Sequence, residues 1–230
     1  MKCLILASGF GTRLYPLTKS KAKALLEYRG KPVISHIIDK IPQDIDILVN
    51  INRKFEADFR RWQETMGRAV TLCVEPVLTE EQALGAVGSL DYWIKAKNIT
   101  DDLLVIASDN YFEFDLRKFI AAYTGKHTLV AVYDIGDKSK AGQFGVVRLE
   151  GNRIIELVEK PIKPESSLVA IACYIFPPRI FSLLFQCCTE GRDNLGNFIS
   201  YLVEIDEVNA YTFSDIWFDI GSLDVYKSLQ

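Results

Sequence analysis

Two histidines, His36 and His127, are all that 230 residues provide, so a histidine-rich metal centre or a Ser-His-Asp triad has almost no material from which to be built. Neither stands in a recognisable motif, and both are expected to be structural or surface residues. The five cysteines (Cys3, Cys73, Cys173, Cys187, Cys188) are odd in number, include an adjacent pair and lack Cys-x-x-Cys or Cys/His spacing. Reduced thiols in a cytoplasmic protein are the expectation. No run approaches the roughly 20 apolar residues of a membrane helix. The apolar stretch 3–7 is too short for a signal peptide and is followed at once by glycines and charge. A basic surplus is missing as well: Lys+Arg 27 against Asp+Glu 30 leaves a net charge of -3. That excludes a general nucleic-acid binder, whose footprint is a strongly basic face, so any anion site must be local.

What is present suits a globular chain. Hydrophobic residues at 49% and charged residues at 25% are ordinary proportions, and a core of this size should bury roughly 70–75% of the unfolded surface. Short β-branched apolar runs recur at 3–7, 45–51, 69–75, 102–108 and 127–134. Being continuous rather than alternating, they suit strands covered on both faces. Between them, 32–41 and 55–66 place apolar residues at helical spacing. Strand-helix alternation to about residue 125 predicts right-handed crossovers and a largely parallel sheet. Beyond it, 145–161 reads as two strands joined at Glu150-Gly151-Asn152, a hairpin signal. After 168–176, Pro177-Pro178 fits the entry to a helix reaching about Cys188. With no linker, low-complexity tract or repeat, the prediction is one domain over 1–230: a Rossmann-like, three-layer α/β fold with a mixed, mainly parallel central sheet and antiparallel additions in the C-terminal half.

The first run opens into Gly9 and Gly11. Glycines after a strand let backbone amides approach an anion, and basic residues follow at Arg13, Lys19, Lys21 and Lys23. The dinucleotide pattern GxGxxG fails because Leu14 stands at its third glycine, which argues against a dinucleotide oxidoreductase, and no Walker A loop is present. There remain Gly9, Gly11, Thr12, Arg13 and Lys23 within 15 residues. Arginine grips phosphate oxygens bidentately and lysine supplies a mobile point charge, a combination suited to a polyphosphate. Lys19 and Lys21 read as surface charges.

The stretch LASGFGTRLYPLTKSKAKALLEYRGKPVI (6–34) resembles the signature of the sugar-1-phosphate nucleotidylyltransferases. Ser8, Ala22 and Glu27 depart from it, the last two standing where the family carries proline. The resemblance implies a nucleotidyltransferase fold with a nucleotide-binding half over about 1–125 and a sugar-phosphate-binding half over about 126–230. It implies that Gly9, Gly11, Thr12 and Arg13 hold a nucleoside triphosphate and that Lys23, with Arg13, is catalytic. Triphosphate chemistry calls for a hard divalent cation. Asp109, in DLLVIASDN (102–110), ends a predicted strand at the sheet edge where open α/β sheets bind ligands. Asp219, in DIWFDIGS (215–222), resembles the family's second metal carboxylate, so Mg2+ on Asp109 and Asp219 is implied. Gln82 and Gly85 resemble the base-binding segment. Gly145, Glu159 and Lys160 resemble the sugar-phosphate contacts, and ACYIF (172–176) has Ala172 where the family has glycine. RDNLGNFISYLVE (192–204) and 217–229 extend the resemblance over nearly the whole chain.

The implied activity joins a nucleoside triphosphate, dTTP or UTP first, to a sugar 1-phosphate, glucose 1-phosphate first, releasing pyrophosphate. Alternatives are a guanylyl- or cytidylyltransferase for mannose, heptose or a phospho-alcohol, and a non-catalytic ligand-sensing relative. Dimers or tetramers among relatives imply a homo-oligomer by analogy alone.

Overall fold

The first apolar run forms a strand whose centre, Cys3 to Ile5, is fully buried, as expected of a strand covered on both faces. The computed structural model describes residues 1–189 and 193–228. Arg192 and Leu229, both within motifs quoted above, lie outside them.

In chain order the elements are β1 (Lys2–Leu6), β2 (Glu27–Tyr28), β3 (Lys31–Pro32), α1 (Val33–Lys40), β4 (Asp46–Asn52), α2 (Glu56–Glu64), β5 (Thr71–Glu75), α3 (Gly85–Ala96), β6 (Leu103–Ala107) and β7 (Asn110–Phe112). They continue with α4 (Leu116–Ala122), β8 (Thr128–Asp134), β9 (Gly145–Glu150), β10 (Arg153–Glu159), β11 (Leu168–Phe176), α5 (Phe181–Thr189), α6 (Leu195–Ile205), β12 (Val208–Phe213), β13 (Trp217–Asp219) and α7 (Leu223–Ser228). The chain divides into two compact units that do not follow its order: one of Met1–Ala83, Ile106–Glu113 and the segment from Ile216 onward, the other of Leu84–Val105 and Phe114–Asp215.

The first unit carries the parallel ladder β5-β4-β1. Beyond β1 lies the end of β6, where the Ser108 amide donates to the Leu6 carbonyl at 3.0 Å. α1 buries Val33, Ile34, Ile37 and Ile38, the stripe its spacing predicts. α2 buries Phe59 and Trp62, and the Trp62 indole donates to Ser35 Oγ at 2.9 Å, tying the two helices. Because parallel strands end at the same edge, the loops after β1, β4 and β5 open on one side. β7 and β13 form a separate antiparallel ribbon with Asp219 opposite Asn110.

In the second unit the strand order is β6-β11-β8-β12-β10-β9, and β9 also pairs with β11. β9 and β10 form the expected hairpin, turning at Gly151 with φ 59°. β12 lies parallel to β8 and antiparallel to β10. Between Ala170 and Tyr174 the β11–β8 register shifts, and Ala172 there has φ 54°. This bulge bends β11. Its first half meets β9, with Val169 opposite Val146 and Ala170 opposite Gly145, so β11-β8-β12-β10-β9 closes on itself. A left-handed backbone favours glycine, which accounts for the family's glycine at this point; Ala172 adopts it at a cost on the order of 1 kcal/mol. α6 packs on β10, where Ser200 Oγ donates to the Leu157 carbonyl. The sheet is mixed, as expected, and α5 follows Pro177-Pro178, as expected, starting at Phe181.

Candidate functional site

In the first unit, the loop after β1 is shaped by its neighbours. Gly11 has φ 65°, and a Cβ there would lie 3.2 Å from Lys23 Cβ and 3.2 Å from Thr18 Cγ2. Both the dihedral and the space demand glycine. Buried Thr18 donates its hydroxyl to the Gly11 carbonyl at 2.6 Å, holding the far side of the loop. At Gly9 an added Cβ would meet no atom within 4 Å. Packing does not demand glycine there, and close approach of a ligand to bare backbone is what it permits. Thr12 Oγ1 donates to Glu80 Oε1 at 3.2 Å, and Arg13 is exposed.

Lys23 comes from the turn that follows. Ala22, one of the departures, has φ -61° and ψ 140°. Those are dihedrals proline itself would adopt, so the substitution leaves the path of the chain intact. Lys23 Nζ lies 2.7 Å from Asp109 Oδ2, across 86 residues of sequence. Asp109 sits between β6 and β7, and its carbonyl accepts from the Ile220 amide at 2.9 Å. Trp217 Nε1 donates to Asn110 Oδ1 at 2.7 Å. The ribbon makes the two expected residues neighbours along the backbone: Asp109 precedes β7, and Asp219 ends β13 opposite Asn110.

Beneath them, Tyr111 stacks on Phe218 at 4.8 Å, and Tyr28 meets both rings edge-on. Tyr111 Oη donates to Glu113 at 2.8 Å. That hydrogen bond, with Arg29 beside it, holds the Glu113 carboxyl below its ordinary range.

No group of three or more His, Cys, Asp or Glu residues among the described ones could hold a metal by itself. Magnesium is commonly held by one or two carboxylates, with phosphate oxygens and water completing its shell. The oxygen donors of Asp109 and Asp219 fit that pattern. Gln82 turns back on its own loop, its Oε1 accepting from the Leu78 and Thr79 amides at 3.0 and 3.4 Å.

Sequence reasoning passed over Glu75. It is 1% exposed, and its Oε1 has no hydrogen-bond partner. It lies opposite Asn52 in the β4–β5 ladder, so the two side chains share a face. A carboxylate at a parallel strand's carboxyl end was the available signal.

The second unit gathers the other expected residues. Gly145 and Glu159 are opposite each other in the β9–β10 hairpin. A Cβ at Gly145 would lie 3.1 Å from Glu159 Oε2. Lys160, with φ 47°, donates its amide to Phe144 O at 3.0 Å and brings Nζ 3.3 Å from Glu159 Oε1. Burial pushes the Tyr174 hydroxyl far up, and the Glu159 charge adds to it. Gly196, in the first turn of α6, was not singled out. Its added Cβ would stand 1.9 Å from Glu159 Oε2, so the Glu159 carboxylate occupies the space a side chain would take. Gly85 opens α3 with φ 71°, and its added Cβ would meet Asp193 Cβ and O at 2.9 Å.

Among the described residues no helix is long and apolar enough to cross a membrane. The chain is of the mixed α/β class, with a glycine loop after its first strand, a position at which such sheets commonly hold phosphate groups. The chain belongs to the nucleotidyl transferase family, which matches residues 2–230. It is 30% identical, over 96% of its length, to the bifunctional protein GlmU of Methanocaldococcus jannaschii and covers 51% of that protein. It is also 30% identical to the mannose-1-phosphate guanyltransferase of Pichia angusta, over 96% of this chain and 61% of the relative. The chain thus spans about half to three-fifths of these relatives. A provisional glucose-1-phosphate thymidylyltransferase from Bacillus anthracis, solved with sucrose, superimposes with a TM-score of 0.88 at 26% identity, covering 100% of this chain and 93% of the other.

Proposed function

We propose that this protein transfers a nucleotidyl group from a nucleoside triphosphate to a sugar 1-phosphate, releasing pyrophosphate. The observation carrying this reading is the meeting of Lys23 and Asp109 at 2.7 Å beside a glycine loop whose Gly11 cannot be replaced without strain. An anion loop, a mobile cation and a metal-competent carboxylate are the parts phosphoryl-type transfer needs.

In this reading the amides of Gly9 to Arg13 hold the triphosphate, with the Arg13 guanidinium on the departing pyrophosphate. Lys23 leaves Asp109 to meet the charge that develops on the α-phosphate. Asp109 and Asp219 would hold Mg2+, which supplies charge neutralisation of the phosphates when bound. In the second unit Glu159 accepts hydrogen bonds from sugar hydroxyls, beside Gly145, while Lys160 takes the sugar's phosphate. An oxygen of that phosphate attacks the α-phosphorus in line, the α–β bridging bond breaks and pyrophosphate leaves with its electron pair. Gly85 lies against the base, and Gln82 shapes the approach to it. The protein works as a cytoplasmic homo-oligomer, by analogy with relatives.

The first substrates to try are dTTP or UTP with glucose 1-phosphate. Glu75 favours a second reading, guanylyl transfer. Guanine offers an adjacent N–H and NH2 to the two oxygens of a carboxylate, whereas uracil and thymine offer one N–H flanked by carbonyls. The Pichia relative, a mannose-1-phosphate guanyltransferase by name, agrees with it.

The test is a pyrophosphate-release screen with magnesium, crossing dTTP, UTP, GTP, CTP and ATP with glucose, mannose, N-acetylglucosamine and galactose 1-phosphates. One strong pair establishes the activity and its substrates. Silence in every well, with nucleotide still bound, would point to a sugar phosphate or phospho-alcohol outside the screen, or to a sensor.

A further inference from the structure

The proposed chemistry uses the loop and its cations and leaves unexplained why a strand covered on both faces spends two positions on asparagine. β4 reads DILVNIN, and Asn50 and Asn52 are both at 0% exposure. Asparagine is depleted in strands, and burying an amide is costly unless it is hydrogen-bonded.

Two residues apart, the pair share one face, and both reach the same residue. Asn52 Nδ2 donates to the Ser8 carbonyl at 2.8 Å, and Asn50 Nδ2 donates to Ser8 Oγ at 3.0 Å. The Asn50 carbonyl also accepts from the Ala7 amide at 2.8 Å. Asn52 is itself held, its Oδ1 accepting from the Phe55 amide at 3.2 Å. The chain is thus fastened at the last two residues before Gly9, beyond which the glycines supply no rigidity of their own.

We infer that Asn50 and Asn52 are positioning residues for the triphosphate loop, holding Ser8 so that the amides from Gly9 onward face the phosphates before a ligand arrives. The inference rests on the reading of that loop proposed above. Ser8 stands where the resembling family usually has glycine or alanine, and its hydroxyl is what Asn50 binds. This departure tightens the loop. Without the anchor, two or three loop residues must be ordered at the moment of binding, which costs roughly thirtyfold or more in affinity when the whole anchor is lost.

The experiment is calorimetric titration with the magnesium complexes of α,β-methylene dTTP and α,β-methylene GTP, alongside steady-state kinetics. The variants are Ser8→Ala, Ser8→Thr, Asn52→Leu and, as a control, Val49→Ala, a fully buried position in β4 on the other face. Ser8→Ala should weaken analogue binding about tenfold and raise KM for the triphosphate in step, with KM for the sugar phosphate within about twofold. Ser8→Thr, which keeps the hydroxyl, should restore binding, and Asn52→Leu should lose more than Ser8→Ala. Val49→Ala should lower Tm without moving analogue affinity. Analogue binding by Ser8→Ala and Asn52→Leu equal to wild type, or an equal loss in Val49→Ala, overturns the positioning role. Failure of the wild-type protein to bind the α,β-methylene analogue of any of the five triphosphates in the screen instead sinks the triphosphate reading itself.

Discussion

Replacing Gly196 by alanine should disable sugar-phosphate recognition in a protein that remains folded. The added Cβ would lie 1.9 Å from Glu159 Oε2 and 2.7 Å from Glu159 Cδ. Carbon and oxygen atoms do not share such space, so the carboxylate must retreat by about 1.5 Å to regain ordinary van der Waals contact. Glu159 is held at the end of β10 opposite Gly145, and its side chain, 20% exposed, can yield only by rotating outward. Rotation takes it off the sugar hydroxyls it is proposed to accept from. Hydrogen bonds to a charged group contribute about 1.5–3 kcal/mol, so KM for the sugar phosphate should rise roughly 10- to 150-fold. Stability should change little, because alanine in a helix gains up to about 1 kcal/mol over glycine, offsetting the displaced contact. The assay is pyrophosphate release with each substrate varied in turn, alongside thermal unfolding, with Glu159→Gln for comparison. Tm within about 3 °C of wild type and an unchanged triphosphate KM are expected. An unaltered sugar-phosphate KM, or a loss falling on the triphosphate instead, would refute the placement of Glu159.

Lys23→Gln should act in opposite directions on two observables. Turnover should fall by about a hundredfold or more, as expected when a cation meeting transition-state charge is lost, whereas Mn2+ binding to the protein without nucleotide, read by electron paramagnetic resonance, should tighten about fivefold once the ammonium 2.7 Å from Asp109 is gone. Weaker Mn2+ binding in the variant would exclude competition between Lys23 and the metal. His36 governs part of the pH response. Burial pulls its imidazole below the ordinary value, outweighing the hydrogen bond to the Tyr28 carbonyl and the nearby Asp39, while Lys31 and Arg29 add to the lowering. The folded state therefore prefers neutral His36, and the unfolded chain takes up a proton first as pH falls below about 6.5. The contribution of His36 is fully present above that pH and is lost as pH drops through the folded value. Urea midpoints between pH 8 and 5 should fall more steeply in wild type than in His36→Gln, and parallel curves would remove His36 from the response.

The periodicities of the chain announce most of its elements. Continuous apolar runs mark β1, β4, β5, β6 and β8, because strands buried on both faces have no polar side to alternate. The Glu150-Gly151-Asn152 signal marks the β9–β10 turn because the left-handed dihedrals there suit few residues. The glycine loop and its cations are legible for the same local reason, their spacing being set within one stretch of backbone. β7, β12 and β13 carry weaker signals, since short strands are selected by their partners and not by their own propensity.

What local pattern cannot carry is the identity of a distant partner. Lys23 meets Asp109 across 86 residues and Ser8 meets Asn52 across 44. Glu159 fills the space left by Gly196, and β9 closes onto β11 through a bulge at a residue that propensity would not choose. A sequence by itself specifies which residues prefer which backbone and which face seeks burial, and here that sufficed for the class of fold and for the glycine loop after β1. Which carboxylate receives the lysine, which glycine makes room for which acid and which buried amides anchor the loop were decided by tertiary structure. Those pairings depend on strand register and strand order, which only the assembled sheet establishes.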